Sequence, residues 1–215
     1  MKLGIFDSGI GGEAIANSLH ATFPEAEIIT VNDHSNVPYG DKTPEKVISL
    51  TDAAIQPLLA SNCDMIILAC NTATALAIET LRARYPGQKF IGIEPMIKTA
   101  AAKTTSNTVA VFATPATLSS ERYGQLIHTY APHLSILEPD CSTWAYMIEN
   151  NTVNHIEIKN VIEDVCQRGA DVIVLGCTHY HWIKELVVQL ANGRAVVIEP
   201  SEAIGRRVDQ LLKAA

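Results

Sequence analysis

Charge is scarce in this 215-residue chain: charged residues make up 18%, against roughly 25% in an average soluble domain. What charge there is leans acidic, with 16 Lys and Arg facing 23 Asp and Glu for a formal net charge of −7. No basic run offsets that acidity locally, which argues against a nucleic-acid partner held through phosphate contacts. Long apolar stretches are missing too. None approaches the roughly 18–20 residues of a membrane span, and the amino terminus runs from Met1 through Phe6 straight into Asp7 without a signal-peptide core. The expectation is a cytoplasmic protein with no membrane partner. Five cysteines (Cys63, Cys70, Cys141, Cys166, Cys177) form no C-x-x-C pair, which fits neither a disulfide framework, a zinc ribbon nor a dithiol redox protein. Nucleotide loops are lacking as well, since Asp7-Ser8-Gly9-Ile10-Gly11-Gly12 is neither G-x-G-x-x-G nor a run ending in Gly-Lys-Ser/Thr.

What the chain has is apolar residues, at 47%, enough for a core and against disorder. Short runs rich in Ile and Val alternate with longer helical patterns, the sequence form of a parallel sheet with crossover helices, so the fold class is α/β. Strands are predicted at 3–6, 27–31, 65–69, 90–93, 109–112, 134–137, 172–175 and 195–198. Helices are predicted at 12–22, 44–61, 73–84, 95–103, 118–130, 153–168, 180–190 and 202–213.

An internal repeat organises these elements. Asp64-Met65-Ile66-Ile67-Leu68-Ala69-Cys70-Asn71-Thr72 is similar to Asp171-Val172-Ile173-Val174-Leu175-Gly176-Cys177-Thr178-His179, offset by 107 residues (177 minus 70). Leu3-Gly4-Ile5-Phe6-Asp7-Ser8 is echoed by Val109-Ala110-Val111-Phe112-Ala113-Thr114, offset by 106 (112 minus 6). Two pseudo-symmetric flavodoxin-like or Rossmann-like lobes with parallel sheets and an inter-lobe cleft follow. The first takes residues 1–94 plus 199–215 and the second residues 95–198, the chain crossing at Glu94-Pro95 and returning at Glu199-Pro200.

Each repeat sets a cysteine just after a buried strand, where open parallel sheets gather ligands, and just before a helix amino terminus that favours a thiolate. A lone free cysteine at such a place more often fills an apolar gap; two at equivalent strand ends point to chemistry. One thiol on each side of a carbon can remove a proton from one face and deliver another to the opposite face, which is racemisation. Charge then builds on the substrate carboxylate and calls for fixed donors, which Asn71, Thr72, Thr178 and the adjacent backbone supply. Asp7 and Ser8 are read either as helix caps or as part of the same site.

Four blocks, Gly4-Ile5-Phe6-Asp7-Ser8-Gly9-Ile10-Gly11-Gly12, Val37-Pro38-Tyr39-Gly40, Ala69-Cys70-Asn71-Thr72-Ala73-Thr74 and Leu175-Gly176-Cys177-Thr178-His179-Tyr180, resemble glutamate racemase in order and spacing across nearly the whole chain. The resemblance implies cofactor-independent interconversion of L- and D-glutamate by two cysteines, supplying D-glutamate for peptidoglycan. It implies a small-molecule partner, no metal, and leaves a homodimer open. Matched by position, Cys70 is the base for D-glutamate, assisted by Asp7. Cys177 is the base for L-glutamate, assisted by His179 and, from Met147-Ile148-Glu149, by Glu149. Substrate binding falls to Ser8, Pro38, Tyr39, Gly40, Asn71, Thr72, Thr114, Thr117 and Thr178.

The chain departs from the family in being shorter, in Asn32-Asp33-His34-Ser35-Asn36 where members carry Gly-Asp-Thr/Ser and a following Arg, and in His181 where a Pro is usual. The remaining histidines, His20, His34, His128, His133, His155 and His181, are read as surface residues, and Trp144 and Trp182 as packing residues. Rival readings are a racemase for aspartate or another amino acid, and a weakly catalytic homologue that binds an amino acid or a protein.

Overall fold

The computed structural model describes residues 1–213. In chain order its strands are β1 (Lys2–Asp7), β2 (Glu27–Asn32), β3 (Met65–Leu68), β4 (Phe90–Gly92), β5 (Thr108–Phe112), β6 (Ser135–Leu137), β7 (Val172–Leu175) and β8 (Val196–Ile198). Its helices are α1 (Gly11–Thr22), α2 (Pro44–Ala54), α3 (Gln56–Ala60), α4 (Asn71–Arg84), α5 (Ile97–Lys103), α6 (Pro115–Leu118), α7 (Glu121–Tyr130), α8 (Trp144–Glu149), α9 (His155–Gln167), α10 (Lys184–Ala191) and α11 (Ser201–Lys213). All eight expected strands are present. They form two wholly parallel four-stranded sheets of the same order, β2-β1-β3-β4 and β6-β5-β7-β8. The chain divides into two units, Met1–Glu94 with the segment from Pro200, and Pro95–Glu199.

In the first unit, alternation along the strands sorts side chains to the two faces. Leu3, Ile5, Met65 and Ile67 pack with Ile15 and Leu19 of α1 and Ile204 and Val208 of α11. Phe6, Ile66 and Leu68 pack with Val47, Leu58, Ala77 and Leu81 on the other face. With both faces covered, the strands read as continuous apolar runs, which is why they were legible. In the second unit, Val109, Val111, Val172 and Val174 pack against Ile97 and Tyr123, while Trp144, fully buried, meets Phe112 and Tyr180 edge-on at 5.3 and 5.4 Å between ring centroids.

The helices differ from expectation at the breaks. The segment expected as one helix over 44–61 is two, α2 and α3, because Pro57 has no N–H and its ring clashes with the preceding turn. The helix expected over 118–130 starts at Glu121 as α7, capped by Ser120, whose Oγ accepts the Tyr123 N–H, and the short α6, capped by Thr114, precedes it. Six-residue α8 was missed, being too short to show a period. The helix expected to begin at Tyr180 begins at Lys184, preceded by a 3-10 turn over Thr178–Ile183.

Asp171, at the entry to β7, holds the approach to β5. Its carboxylate accepts hydrogen bonds from the Thr104 and Thr105 hydroxyls (2.5 and 2.8 Å) and the Thr105 and Ser106 N–H groups (2.6 and 2.8 Å). Partial burial alone would raise this carboxyl, but the hydrogen bonds outweigh it and hold it well below the usual carboxylate range. A depressed folded-state value means stabilisation that is complete above the ordinary Asp value of about 3.9 and is lost as pH falls through the folded-state value. Asp171→Asn is therefore expected to cost about 1–3 kcal/mol at neutral pH. Urea unfolding of both proteins at a series of pH values should show the gap shrinking below about pH 4; a pH-independent gap would remove the carboxylate from this role.

Candidate active site

In a parallel sheet of order β2-β1-β3-β4 the chain winds outward in both directions from β1 and β3, so the loops leaving their carboxyl ends diverge and open a crevice. The first unit puts Asp7 at the end of β1 and Cys70 two residues beyond the end of β3. The second repeats this, with Thr114 two residues beyond β5 and Cys177 two residues beyond β7. All four are buried.

Around Cys70 the sulfur is a hydrogen-bond acceptor. Ser8 Oγ donates to it at 3.3 Å, and the Ala73 N–H in the first turn of α4 donates at 3.4 Å, making Cys70 the amino-terminal cap of a fourteen-residue helix. Both contacts favour the thiolate. Asp7 is fully buried, its Oδ1 accepting the Gly9 N–H at 2.8 Å. Gly12 is required by this approach, since a Cβ there would lie 2.7 Å from the Asp7 Cβ and 3.2 Å from Asn32 Oδ1. Asn71, next to Cys70, is buried with neither its amide oxygen nor its amide nitrogen hydrogen-bonded among the described residues. A buried amide in that state is costly unless something pairs with it. Thr72 shares the first turn of α4. The Pro38-Tyr39-Gly40 segment follows a cis Val37–Pro38 bond and enters a 3-10 turn, with the Tyr39 hydroxyl donating to Asp33 Oδ2 at 2.8 Å. Burial, then that hydrogen bond and the Asp33 charge, push Tyr39 far above the ordinary phenol, so it acts as a donor and not as a base.

Cys177 is built differently. A helix amino terminus was expected after it, but the backbone there is the short 3-10 turn, and its thiol makes no cap hydrogen bond among the described residues. A side chain takes that place: His179 Nδ1 lies 3.8 Å from Cys177 Sγ, and His179 Nε2 lies 2.8 Å from Glu149 Oε2. Glu149 reaches this position because Trp144, at the start of α8, packs on Tyr180 of the same 3-10 turn, and the Tyr180 hydroxyl donates to Cys141 O at 2.9 Å. The imidazole thus connects a carboxylate to a thiol. Thr178 is buried beside it. Thr114 and Thr117, also buried, join their hydroxyls at 3.0 Å.

The other cysteines do not share this chemistry. Burial pushes the thiols of Cys63, Cys141 and Cys166 up, which disfavours their thiolates. Two further expectations are corrected. His181 is not a surface residue: its side chain is 7% exposed, Nε2 lies 3.5 Å from Glu199 Oε2, and burial lowers its pKa. Burial disfavours the charged imidazole, and at that separation Nε2 has no hydrogen-bond partner among the described residues. Trp182, read as a packing residue, is 52% exposed, whereas Trp144 packs fully. Asp33 stands directly after β2, one residue beyond the Asn32 that pairs with Asp7, and was named only within the 32–36 stretch.

A profile of the Asp/Glu/hydantoin racemase family matches residues 13–204. The chain belongs to that family. Among its relatives, a glutamate racemase of Pseudomonas aeruginosa is 33% identical over 99% of this chain and 82% of its own length. The racemase-family fold extends to solved structures. A glutamate racemase of Francisella tularensis in complex with D-glutamate superposes with a TM-score of 0.82 at 29% identity, covering 99% of this chain and 81% of that one. A glutamate racemase isoform of Bacillus anthracis, at 24% identity, shares the fold with a TM-score of 0.87 over 99% of this chain and 81% of its own.

Proposed function

We propose that this racemase interconverts L- and D-glutamate without a cofactor, Cys70 and Cys177 being its two bases. The observation that carries the reading is that both halves place a buried thiol two residues beyond the same strand, each beside a group able to hold its charge or handle its proton. In the L-to-D direction the Cys177 thiolate takes the α-proton while the Cys70 thiol donates its own to the opposite face; the reverse direction exchanges the roles. Asp7 serves the Cys70 side, and His179, oriented by Glu149, serves the Cys177 side. The orphaned Asn71 amide offers both a donor and an acceptor to an amino acid, and Ser8, Pro38, Tyr39, Gly40, Thr72, Thr114, Thr117 and Thr178 complete its binding. Donors aimed at the substrate carboxylate stabilise the charge that appears as the α-proton leaves. Glutamate as substrate is supported by the whole-length similarity to glutamate racemases, and the D-glutamate formed would feed peptidoglycan synthesis.

Loss of optical rotation from each enantiomer of glutamate and aspartate tests the reading. Glutamate is expected to show a kcat/KM at least about tenfold above aspartate, about 1.4 kcal/mol of transition-state discrimination. The rate should be unchanged by chelator and without pyridoxal phosphate. Equal or reversed preference would make the chain a racemase for another acid, and no turnover of any of the four would leave a binding protein.

A further inference from the structure

We infer that Asp33 is a positioning residue for the Pro38-Tyr39-Gly40 turn, an inference that rests on the racemase reading for the role of that turn. Asp33 directly follows β2, and its N–H donates to the Asp7 backbone oxygen at 3.0 Å, which ties it to the strand end that carries Asp7. Its carboxylate is held from two sides. Asn36 Nδ2 donates to Oδ1 at 2.9 Å and to Oδ2 at 3.1 Å, and the Tyr39 hydroxyl donates to Oδ2 at 2.8 Å. The tyrosine is 2% exposed, and its ring packs tilted on Phe6 with centroids 6.1 Å apart. With the ring gripped by Phe6 and the hydroxyl by Asp33, the main chain at Tyr39 and Gly40 cannot shift without leaving a buried phenol unpaired.

The second unit has a carboxylate at the matching strand end that also accepts from a tyrosine. Glu138 directly follows β6 and accepts the hydroxyl of the buried Tyr123 at 2.7 Å. It stands 105 residues after Asp33 (138 minus 33), close to the offset of the cysteine blocks. Both carboxylates leave the edge strand of their sheet, on the side where the cysteine loops emerge. The bond there braces the start of α7, whose cap Ser120 donates to Thr117 O at 2.7 Å. The carboxylates stand at matching strand ends, but the tyrosines do not: Tyr123 precedes β6, in α7, whereas Tyr39 follows β2, in the turn assigned to substrate.

Asp33→Ala, Asp33→Asn and Tyr39→Phe test this with two readouts: steady-state kinetics on both enantiomers of glutamate, and substrate-free hydrogen exchange over residues 36–42. In Asp33→Ala and Tyr39→Phe, KM for both enantiomers is expected to rise about tenfold or more while kcat changes less than about threefold, the pattern of lost ground-state binding. Exchange over 36–42 should quicken while β1 and β3 keep their protection. Asp33→Asn, which retains an acceptor oxygen, should recover part of both. The Asp33→Ala/Tyr39→Phe double variant should be no worse than either alone, because one bond is removed in each case. An unchanged KM with unchanged exchange, a fall in kcat at constant KM, or additive effects would each overturn the assignment. Should Asp33→Ala fail to fold, Tyr39→Phe decides by the same criteria. A wild-type chain that does not racemise glutamate would remove only the racemase reading, since the exchange comparison needs no substrate.

Discussion

Cys70→Ala and Cys177→Ala are each expected to abolish racemisation, by at least about 10⁴-fold, the upper end of what one acid–base group supplies. A single thiol can return a proton only to the face it came from, so no inversion survives. What remains is one-sided. In deuterated water Cys70→Ala, which keeps the base assigned to L-glutamate, should at most exchange the α-proton of that enantiomer with retention; Cys177→Ala should do the same for D-glutamate. Proton NMR of each enantiomer with each folded variant reads both features at once. Substantial inversion by either single variant would eliminate the two-base mechanism, and exchange on the opposite enantiomers would reverse the assignment.

The next largest effect is expected at His179. His179→Asn should lower kcat/KM by about 10²-fold, because the Cys177 thiol has no helix cap to fall back on and takes its proton-handling neighbour from the imidazole. On the two-base reading Glu149 acts through that imidazole: it lies 2.8 Å from Nε2, which leaves Nδ1 on the side of the sulfur. Glu149→Gln should therefore cost less, about tenfold, and the double variant should match His179→Asn alone. Isotope effects with α-deuterated substrates should rise on the L enantiomer in these variants, and on the D enantiomer in Asp7→Asn. Additive losses would separate Glu149 from the histidine, and identical isotope patterns in His179→Asn and Asp7→Asn would remove the assignment of sides.

The sheets were readable because their central strands are buried on both faces, so Met65–Leu68 and Val172–Leu175 are unbroken apolar runs ending before a cysteine. The repeat supplied the rest of the architecture. Helix ends were less readable where one residue decides them: Pro57 breaks a continuous apolar period, and the serine pair at 119 and 120 restarts one. Residues beside the cysteines were nameable from the motif blocks, and Glu149 from the resemblance, but the contacts that join them were not. Nothing local in the sequence joins Glu149 to His179 thirty positions on, since the link depends on Trp144 meeting Tyr180 across the fold. Asp33 escaped notice because its role is carried by a tyrosine six residues later. His181 escaped because a histidine in a polar stretch gives no sign that Glu199, eighteen residues away, will meet it in a buried setting.

The unlike backbones after the two cysteines bear on how the halves tolerate mutation. Cys70 accepts one hydrogen bond from the main-chain N–H of Ala73 in a long helix, which does not depend on that residue's side chain, and another from Ser8 Oγ. Cys177, followed by a 3-10 turn, depends on the identities of His179, Glu149 and the aromatic pair that brings α8 to them. The Ala73 N–H beside Cys70 survives any side-chain replacement that keeps the helix, whereas on the two-base reading the group beside Cys177 is lost with the single replacement of His179. Two units of the same strand order thus hold the same chemical group by unlike means.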